Sequence, residues 1–425
     1  MRSAMPTGAG GADTGTRLPR EIWILVTGSF IVAIGMGIVS PALPAFATSF
    51  DVGVTAASFI VSAFAFMRLA FAPASGRLVA WFGERPIYVW GVTIVGVSSA
   101  ACAFADSYWQ LLVFRALGGT GSTMFTVSVV ALLVRLSPPD QRGRASGLWA
   151  TSFLLGNVSG PIIGSLLVGY SLRLPFLIYG AALFLAAFVG WLLLRNSTLA
   201  APVKDDVPAV TVREALGSRA YRAALLSNFS TGWAVFGVRI ALIPLFVVEA
   251  LHSTQAMAGV ALSVFAVGNA AVIMMSGRLS DLRGRKPMVL LGLSISVVGT
   301  AALGFSSSIP VFLVASLVAG VGAGLLNPAQ NAAVADLLGS KGRGGPVLAA
   351  FQMSADVGAI VGPLVTGMIA DAISYQVAFG VTALTAVLAL GAWLAAPETR
   401  GARGTTEVGH LDEDPGTPDP ERAAK

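Results

Sequence analysis

One carboxylate and one guanidinium stand deep inside apolar sequence. Asp356 lies eleven residues into an apolar run that begins at 345, and Arg68 lies eleven residues before the end of another that closes at 79. In helices rising 1.5 Å per residue, each would sit roughly 16 Å from the same side of a bilayer. A charge at that depth is costly in hydrocarbon and marks a functional site by default. A carboxylate in apolar surroundings keeps its proton, and a neighbouring guanidinium lets it go. A contact that formed and broke would therefore link protonation to shape. The alternatives are a static structural pair, or two residues with unrelated partners.

Two further arginines interrupt apolar runs. Arg115 stands near the start of its run, where its stem could snorkel to an interface. Arg239 could bind an anionic substrate group, cap an outer gate, or snorkel likewise. Amides and aromatics accompany these charges: Asn228, Trp233, Phe236, Asn327, Gln330 and Asn331, then Phe153, Asn157 and Gln352. Such a set suits an apolar, weakly polar ligand, and each of them is also an ordinary packing residue.

Other chemistry is missing. Cys102 is the single cysteine, and His252 and His410 are far apart, so no metal site is expected. No Gly-x-x-x-x-Gly-Lys-Ser/Thr loop occurs, which argues against ATP as the energy source. No Gly-x-Ser-x-Gly elbow, His-Glu-x-x-His helix or cysteine pair suggests an enzyme.

The elements that must hold these residues are membrane helices. Of 425 residues, 55% are hydrophobic and 11% charged, against about 25% charged in a soluble domain. Only a lipid bilayer can solvate that much apolar surface. Twelve spans are read at 22–46, 55–79, 86–105, 109–134, 144–170, 175–194, 222–248, 256–278, 287–306, 309–336, 345–370 and 376–396. The polar segment 195–221 links a first bundle, 22–194, to a second, 222–396. Segments 1–21 and 397–425 read as polar tails. With both termini in the cytoplasm, 23 of the 27 lysines and arginines fall on the cytoplasmic side. The pI near 9.8 is then orientation information and not a nucleic-acid face.

A charged, glycine-punctuated stretch occurs twice, at 76–85 and again 201 residues later at 277–286. Repetition at half the chain length predicts two equivalent halves, and two equivalent membrane halves predict a transporter. Both stretches are expected to be loops whose glycines give a tight turn and close helix approach. The second copy carries Gly277, Leu279, Asp281, Gly284, Arg285 and Lys286. The first carries Gly76, Gly83 and Arg85, but has Ala80 and Glu84 at the places of Asp281 and Arg285.

This stretch resembles the Gly-x-Leu-x-Asp-x-x-Gly-Arg-Arg/Lys signature of the major facilitator superfamily, and the resemblance extends over residues 20 to 400. Residues 156–164, with Gly156, Gly160, Pro161 and Gly164, resemble the Gly-x-x-x-Gly-Pro-x-x-Gly element of the family's drug:proton antiporters; plain helix packing is the other reading. Residues 115–121 resemble its Arg-x-x-Gln-Gly-x-Gly element, with Gly118 at the glutamine.

The resemblance implies an all-α membrane protein, twelve helices in two pseudo-symmetric six-helix bundles. It implies that the second and eleventh helices face each other, which would join Arg68 to Asp356, and that Arg115 assists proton coupling. It implies a cytoplasmic gate locked at Asp281, with Arg142 or Arg144 as partner, and gating roles for both glycine stretches and for Gly160 and Pro161. The function implied is proton-coupled efflux of a drug-like small molecule across the plasma membrane. It would be performed by a monomer without cofactor, metal, ATP or nucleic acid. A nutrient facilitator or symporter, or a non-transporting receptor, are the competing readings.

Overall fold

The computed structural model describes residues 18–137, 141–195, 211–338 and 345–400, apart from the side chains of residues 142 and 143. Most of both predicted tails, the centre of the 195–221 segment and the side chain of Arg142 lie outside the described residues. Among the described residues, twelve helices are long and apolar enough to cross a membrane. They are α1 (Arg20–Thr48), α2 (Val54–Phe82), α3 (Glu84–Ala103), α4 (Tyr108–Leu136), α5 (Arg142–Val168) and α6 (Leu174–Leu194), followed by α7 (Arg219–Glu249), α8 (Gln255–Arg283), α9 (Arg285–Gly304), α10 (Ile309–Leu338), α11 (Gly345–Ala372) and α12 (Tyr375–Leu394).

Their ends follow from local chemistry. Ser107, Ser218, Thr254 and Ser374 each accept a bond from the backbone N–H three residues on, starting α4, α7, α8 and α12. Pro41 punctuates α1 between Val39 and Ala42. In α7, the turns at Gly232–Val238 widen to π-helix.

The repeated stretches are not loops. α2 runs on to Phe82 and α8 to Arg283, because nothing in 77–82 or 278–283 stops a helix. One residue makes each turn. Gly83 (φ 85°, ψ 164°) and Gly284 (φ 107°, ψ 159°) adopt an extended positive-φ conformation that glycine alone reaches readily. Gly76 and Gly277 have an open face instead, since a Cβ built on either would meet nothing within 4 Å. The expectation of close helix approach therefore fails at those two glycines.

Helix packing repeats by half. α1–α5, α2–α4, α3–α4 and α3–α6 pack in the first half; α7–α11, α8–α10, α9–α10 and α9–α12 pack in the second. The halves meet along α2–α11 and α5–α8. The outside is apolar, with Phe184, Phe188 and Trp191 of α6 among many exposed hydrophobics, as lipid-facing helices require.

Candidate functional site

The seam between α2 and α11 carries polar contacts from one half to the other. Arg68 Nη2 donates to Asp356 Oδ1 at 3.2 Å. Both side chains are half-buried, 34% and 24% exposed, so the pair is neither in bulk water nor sealed. Thr123 of α4 donates to the Arg68 carbonyl at 2.8 Å and fixes its turn. Gly358, two residues after Asp356, lies against the Phe229 carbonyl of α7, which brings the two helices close there. Further along the seam Ser62 Oγ donates to the Ile360 carbonyl at 2.7 Å.

At the far end of that seam Asp371 reaches across the halves. Its carboxylate accepts from the Val54 N–H at 3.0 Å, from the Thr55 N–H at 2.7 Å and from the Thr55 hydroxyl. Gly53, at the N-cap of α2, has no side chain to do this. Asp371 thus supplies the missing cap from the other half, and its charge suits a helix N-terminus. Sequence reasoning missed it, because the partner lies more than 300 residues away and Gly53 alone signals only an uncapped helix start.

The opposite end of the seam is open. Beyond Arg68, Gly76 faces empty space and Arg77 and Leu348 are exposed. Along α5 and α8, Gly259 lies against Pro161 and Ser165 near the Asp371 end, while Gly147 faces open space and Met274 is 79% exposed. The core divides in the same way. One apolar cluster joins the first half to the Asp371 end of the second, including Leu242, Phe246 and Phe379. The other end of the second half has a core of its own around Tyr221, Phe351 and Trp393. The halves therefore touch from Asp371 to Asp356 and part toward Gly83 and Gly284.

Arg115 and Arg239 do not snorkel. Arg115 is 7% exposed, with its guanidinium over the Phe64 ring at 4.3 Å. Arg239 is half-buried over Phe265, also at 4.3 Å. Phe64 and Phe265 are 201 residues apart, so each half stacks a cation on the same position of its second helix. The cation comes from α4 in the first half and α7 in the second. Among the described residues neither arginine has a carboxylate partner.

The amide candidates separate into two groups. Asn228 and Gln330 are buried inside the second half. Asn228 Nδ2 donates to the Phe351 carbonyl at 2.6 Å, and Gln330 Nε2 to Asn228 Oδ1 at 3.3 Å and Asn327 Oδ1 at 3.1 Å. Ser227 and Trp393 complete this network. Trp233 is also buried, its Nε1 donating to Thr382 at 3.3 Å. These residues tie helices of one half together rather than facing an opening. Asn157, Phe236, Asn331 and Gln352 are exposed, and Phe153 is half-buried against Trp149. Gly156, Gly160 and Gly164 seat α5 on Ala33, Ile34, Gly37 and Ile38 of α1, so close packing is one use of that element; Pro161 also meets Gly37 and, through its carbonyl, Gly259 of α8.

The repeated stretches brace each half internally. Asp281 bonds to Arg285 of its own stretch, not to Arg144, which is exposed. Arg285 Nε also reaches Asp336 of α10 at 2.8 Å. In the first half Arg135 of α4 binds both oxygens of Glu84, at 2.6 and 2.7 Å. The next basic residue caps the last helix of its half: Lys286 donates to the Leu394 and Ala396 carbonyls at 2.9 and 2.7 Å, and Arg85 to the Arg195 carbonyl at 3.4 Å. Glu398 then covers the start of α9, accepting from the Arg285 and Lys286 N–H groups at 2.9 and 3.1 Å. Partial burial raises the Glu398 carboxyl's proton affinity, but the backbone N–H groups of Arg400, Arg285, Lys286 and Thr399 outweigh it. The carboxyl therefore sits below its ordinary value.

Known proteins share this architecture. The chain is 27% identical over 390 residues to the multi-drug resistance efflux pump PmrA homolog of Lactococcus lactis, covering 87% of this chain and 93% of that one. It is 25% identical over 376 residues to multidrug resistance protein 1 of Bacillus subtilis, covering 88% and 96%. Among solved structures, a bacterial homolog of the human lysosomal transporter Spinster, inward-facing and unoccupied, superposes with a TM-score of 0.74 at 16% identity over 88% of this chain and 96% of that one. The D-xylose-proton symporter does so with a TM-score of 0.73 at 16% identity, over 89% and 98%. The Major Facilitator Superfamily profile matches residues 25–238 and 224–418. With two six-helix halves, a polar seam between them and this match over nearly the whole chain, the protein is a multi-pass membrane transporter belonging to the Major Facilitator Superfamily.

Proposed function

We propose that the protein exports amphipathic, drug-like small molecules in exchange for protons, by alternating access, as a monomer driven by the proton gradient and not by ATP. The observation that carries this reading is the Arg68–Asp356 pair, a cross-half contact at 3.2 Å at the depth where the halves begin to part. The names of the Lactococcus and Bacillus relatives support the exporter direction.

Basic residues cluster at the end that carries Gly83 and Gly284, so that end is assigned to the cytoplasm of a plasma-membrane protein, together with both termini. The opening then faces the cytoplasm. In this state Arg68 balances the Asp356 carboxylate without a proton, and substrate enters from inside. Rocking toward the outside pulls α2 from α11 and releases the Asp371 cap. Asp356 then loses Arg68 and takes a proton from outside in its place, because an unpaired charge at that depth is costly. Return to the inward state restores the pair and delivers the proton to the cytoplasm. In this cycle Asp356 is the proton carrier and Arg68 its exchange partner. Arg115 and Arg239 are fixed charges of the two bundles, and the glycine stretches keep each bundle rigid as it rocks.

Inverted vesicles from cells expressing the protein test this. Acidifying the lumen should drive accumulation of a fluorescent amphiphile, and Asp356→Asn should remove the dependence on the gradient. Accumulation that follows ATP, or that ignores the gradient, would refute the proposal.

A further inference from the structure

We infer that the transported molecules carry an anionic group, and that Arg239 is the residue that receives it. The inference rests on the export cycle just proposed and names its substrate class.

The charge inventory is the first ground. Four charged residues lie well inside the described spans: Arg68, Arg115, Arg239 and Asp356. One arginine is matched to the single carboxylate. The remaining two leave a net charge of +2 in the membrane interior. No acidic side chain there is free to greet a cationic drug, and α1 has no acidic residue after Glu21.

The surroundings of Arg239 are the second ground. It lines a cavity of about 40 Å³ in the second half, with Ser296 and Thr300 of α9 and Phe265 of α8. That volume holds a few water-sized groups, which fits a carboxylate head and not a whole amphiphile. Arg239 Nε back-bonds to the Val235 carbonyl at 3.2 Å, within the π-helical turns that precede it. Such wide turns recur at functional sites. The Phe265 face recovers only part of the hydration a guanidinium loses. A carboxylate offers the charge and the two in-plane acceptors that a guanidinium fork fits. Arg115, by contrast, is buried and lines none of the described cavities.

Three probes of one size class decide it in inverted vesicles with an acid lumen: 7-diethylaminocoumarin-3-carboxylate, its neutral methyl ester, and the cation ethidium. The wild type should accumulate the carboxylate best and ethidium least. Arg239→Gln should lower the ratio of carboxylate to ester uptake by about 10- to 100-fold, the worth of one charge-assisted hydrogen bond. Arg239→Lys should restore part of the ratio. Preference for ethidium, equal handling of the three probes, no uptake of the carboxylate, or an unchanged ratio in Arg239→Gln would overturn the inference. If Arg239→Gln fails to reach the membrane, the wild-type order tests the anionic class and the Arg239→Lys ratio tests the residue, where a ratio unchanged from wild type would overturn its role. Gradient-driven ethidium uptake without carboxylate uptake would remove the anionic class and leave the exporter standing. Indifference of every probe to the gradient would remove the exporter reading itself.

Discussion

Arg135 grips Glu84 between α4 and α3 at the place where, 201 residues later, Asp336 and Arg285 pair with the signs exchanged. Glu84 stands where the family pattern has a basic residue, and its partner has changed with it. The first copy therefore keeps the cross-helix ion pair with reversed polarity, while Ala80 leaves it without the bond that Asp281 makes to Arg285. Both members are largely shielded, at 22% and 13% exposure, so the pair resists replacement of one side only. Glu84→Arg should destabilise the protein by about 3 kcal/mol, the cost of a shielded charge without its partner. Glu84→Arg with Arg135→Asp should recover most of the loss. Thermal unfolding in detergent measures both, and equal melting of the single and double variants would contradict the brace.

The Asp371 cap should weight the conformational equilibrium. It is a cross-half contact that the outward-open state gives up in the proposed cycle. Asp371→Ala removes a charged helix cap worth about 1–2 kcal/mol. The outward-open population should rise by about 5- to 30-fold. Spin labels at Val52 and Ile373 would report this as growth of a long-distance component. An unchanged distance distribution would show that the cap is not a gate contact.

The four glycines of the repeated stretches should differ. Gly83→Ala places a Cβ at φ 85° and should cost about 1–3 kcal/mol. Gly76→Ala and Gly277→Ala sit in helix with open space around them and should be neutral or stabilising by up to about 1 kcal/mol. Melting temperatures of the three variants test the distinction. A large loss at Gly76 would mean that the open face closes against another helix in the working cycle.

Glu398 should make the start of α9 sensitive to acid. Its carboxyl is held below the ordinary value in the folded state. A depressed carboxylate contributes stability above its unfolded value, about 4.3, and loses it as pH falls further through the folded value. Wild type should therefore lose stability on acidification below about pH 4.3, and Glu398→Gln should lose less across that window. Parallel pH profiles would show that the cap contributes nothing.

Much of this is legible in the amino-acid sequence. Twelve apolar runs placed twelve helices to within a few residues, because length and hydropathy alone specify a span. Arg68 and Asp356 showed a matched depth, and only the family resemblance, which sets the second and eleventh helices face to face, made them candidate partners. Facing was not legible. A membrane helix is apolar toward lipid and apolar toward its neighbours, so it offers little periodicity from which to phase a polar residue. That is why Asn228, Gln330 and Trp233 resembled cavity residues although they join α7, α10, α11 and α12 to one another. Asp371 was hidden for a related reason: in the last turn of a span, a carboxylate looks like an ordinary interfacial charge. The exchanged ion pair was present in the 201-residue register, at 84 and 285 and at 135 and 336, but it needed the fold to put α3 beside α4.

In the proposed cycle a proton replaces Arg68 as the partner of Asp356. Gradient-driven uptake of a fluorescent substrate into inverted vesicles, compared for wild type and Asp356→Asn at matched expression, tests it most directly. Wild-type uptake should collapse when the gradient is dissipated, and Asp356→Asn should show no gradient-driven uptake at all. Asp356→Asn uptake that matches wild type and still responds to the gradient would contradict it.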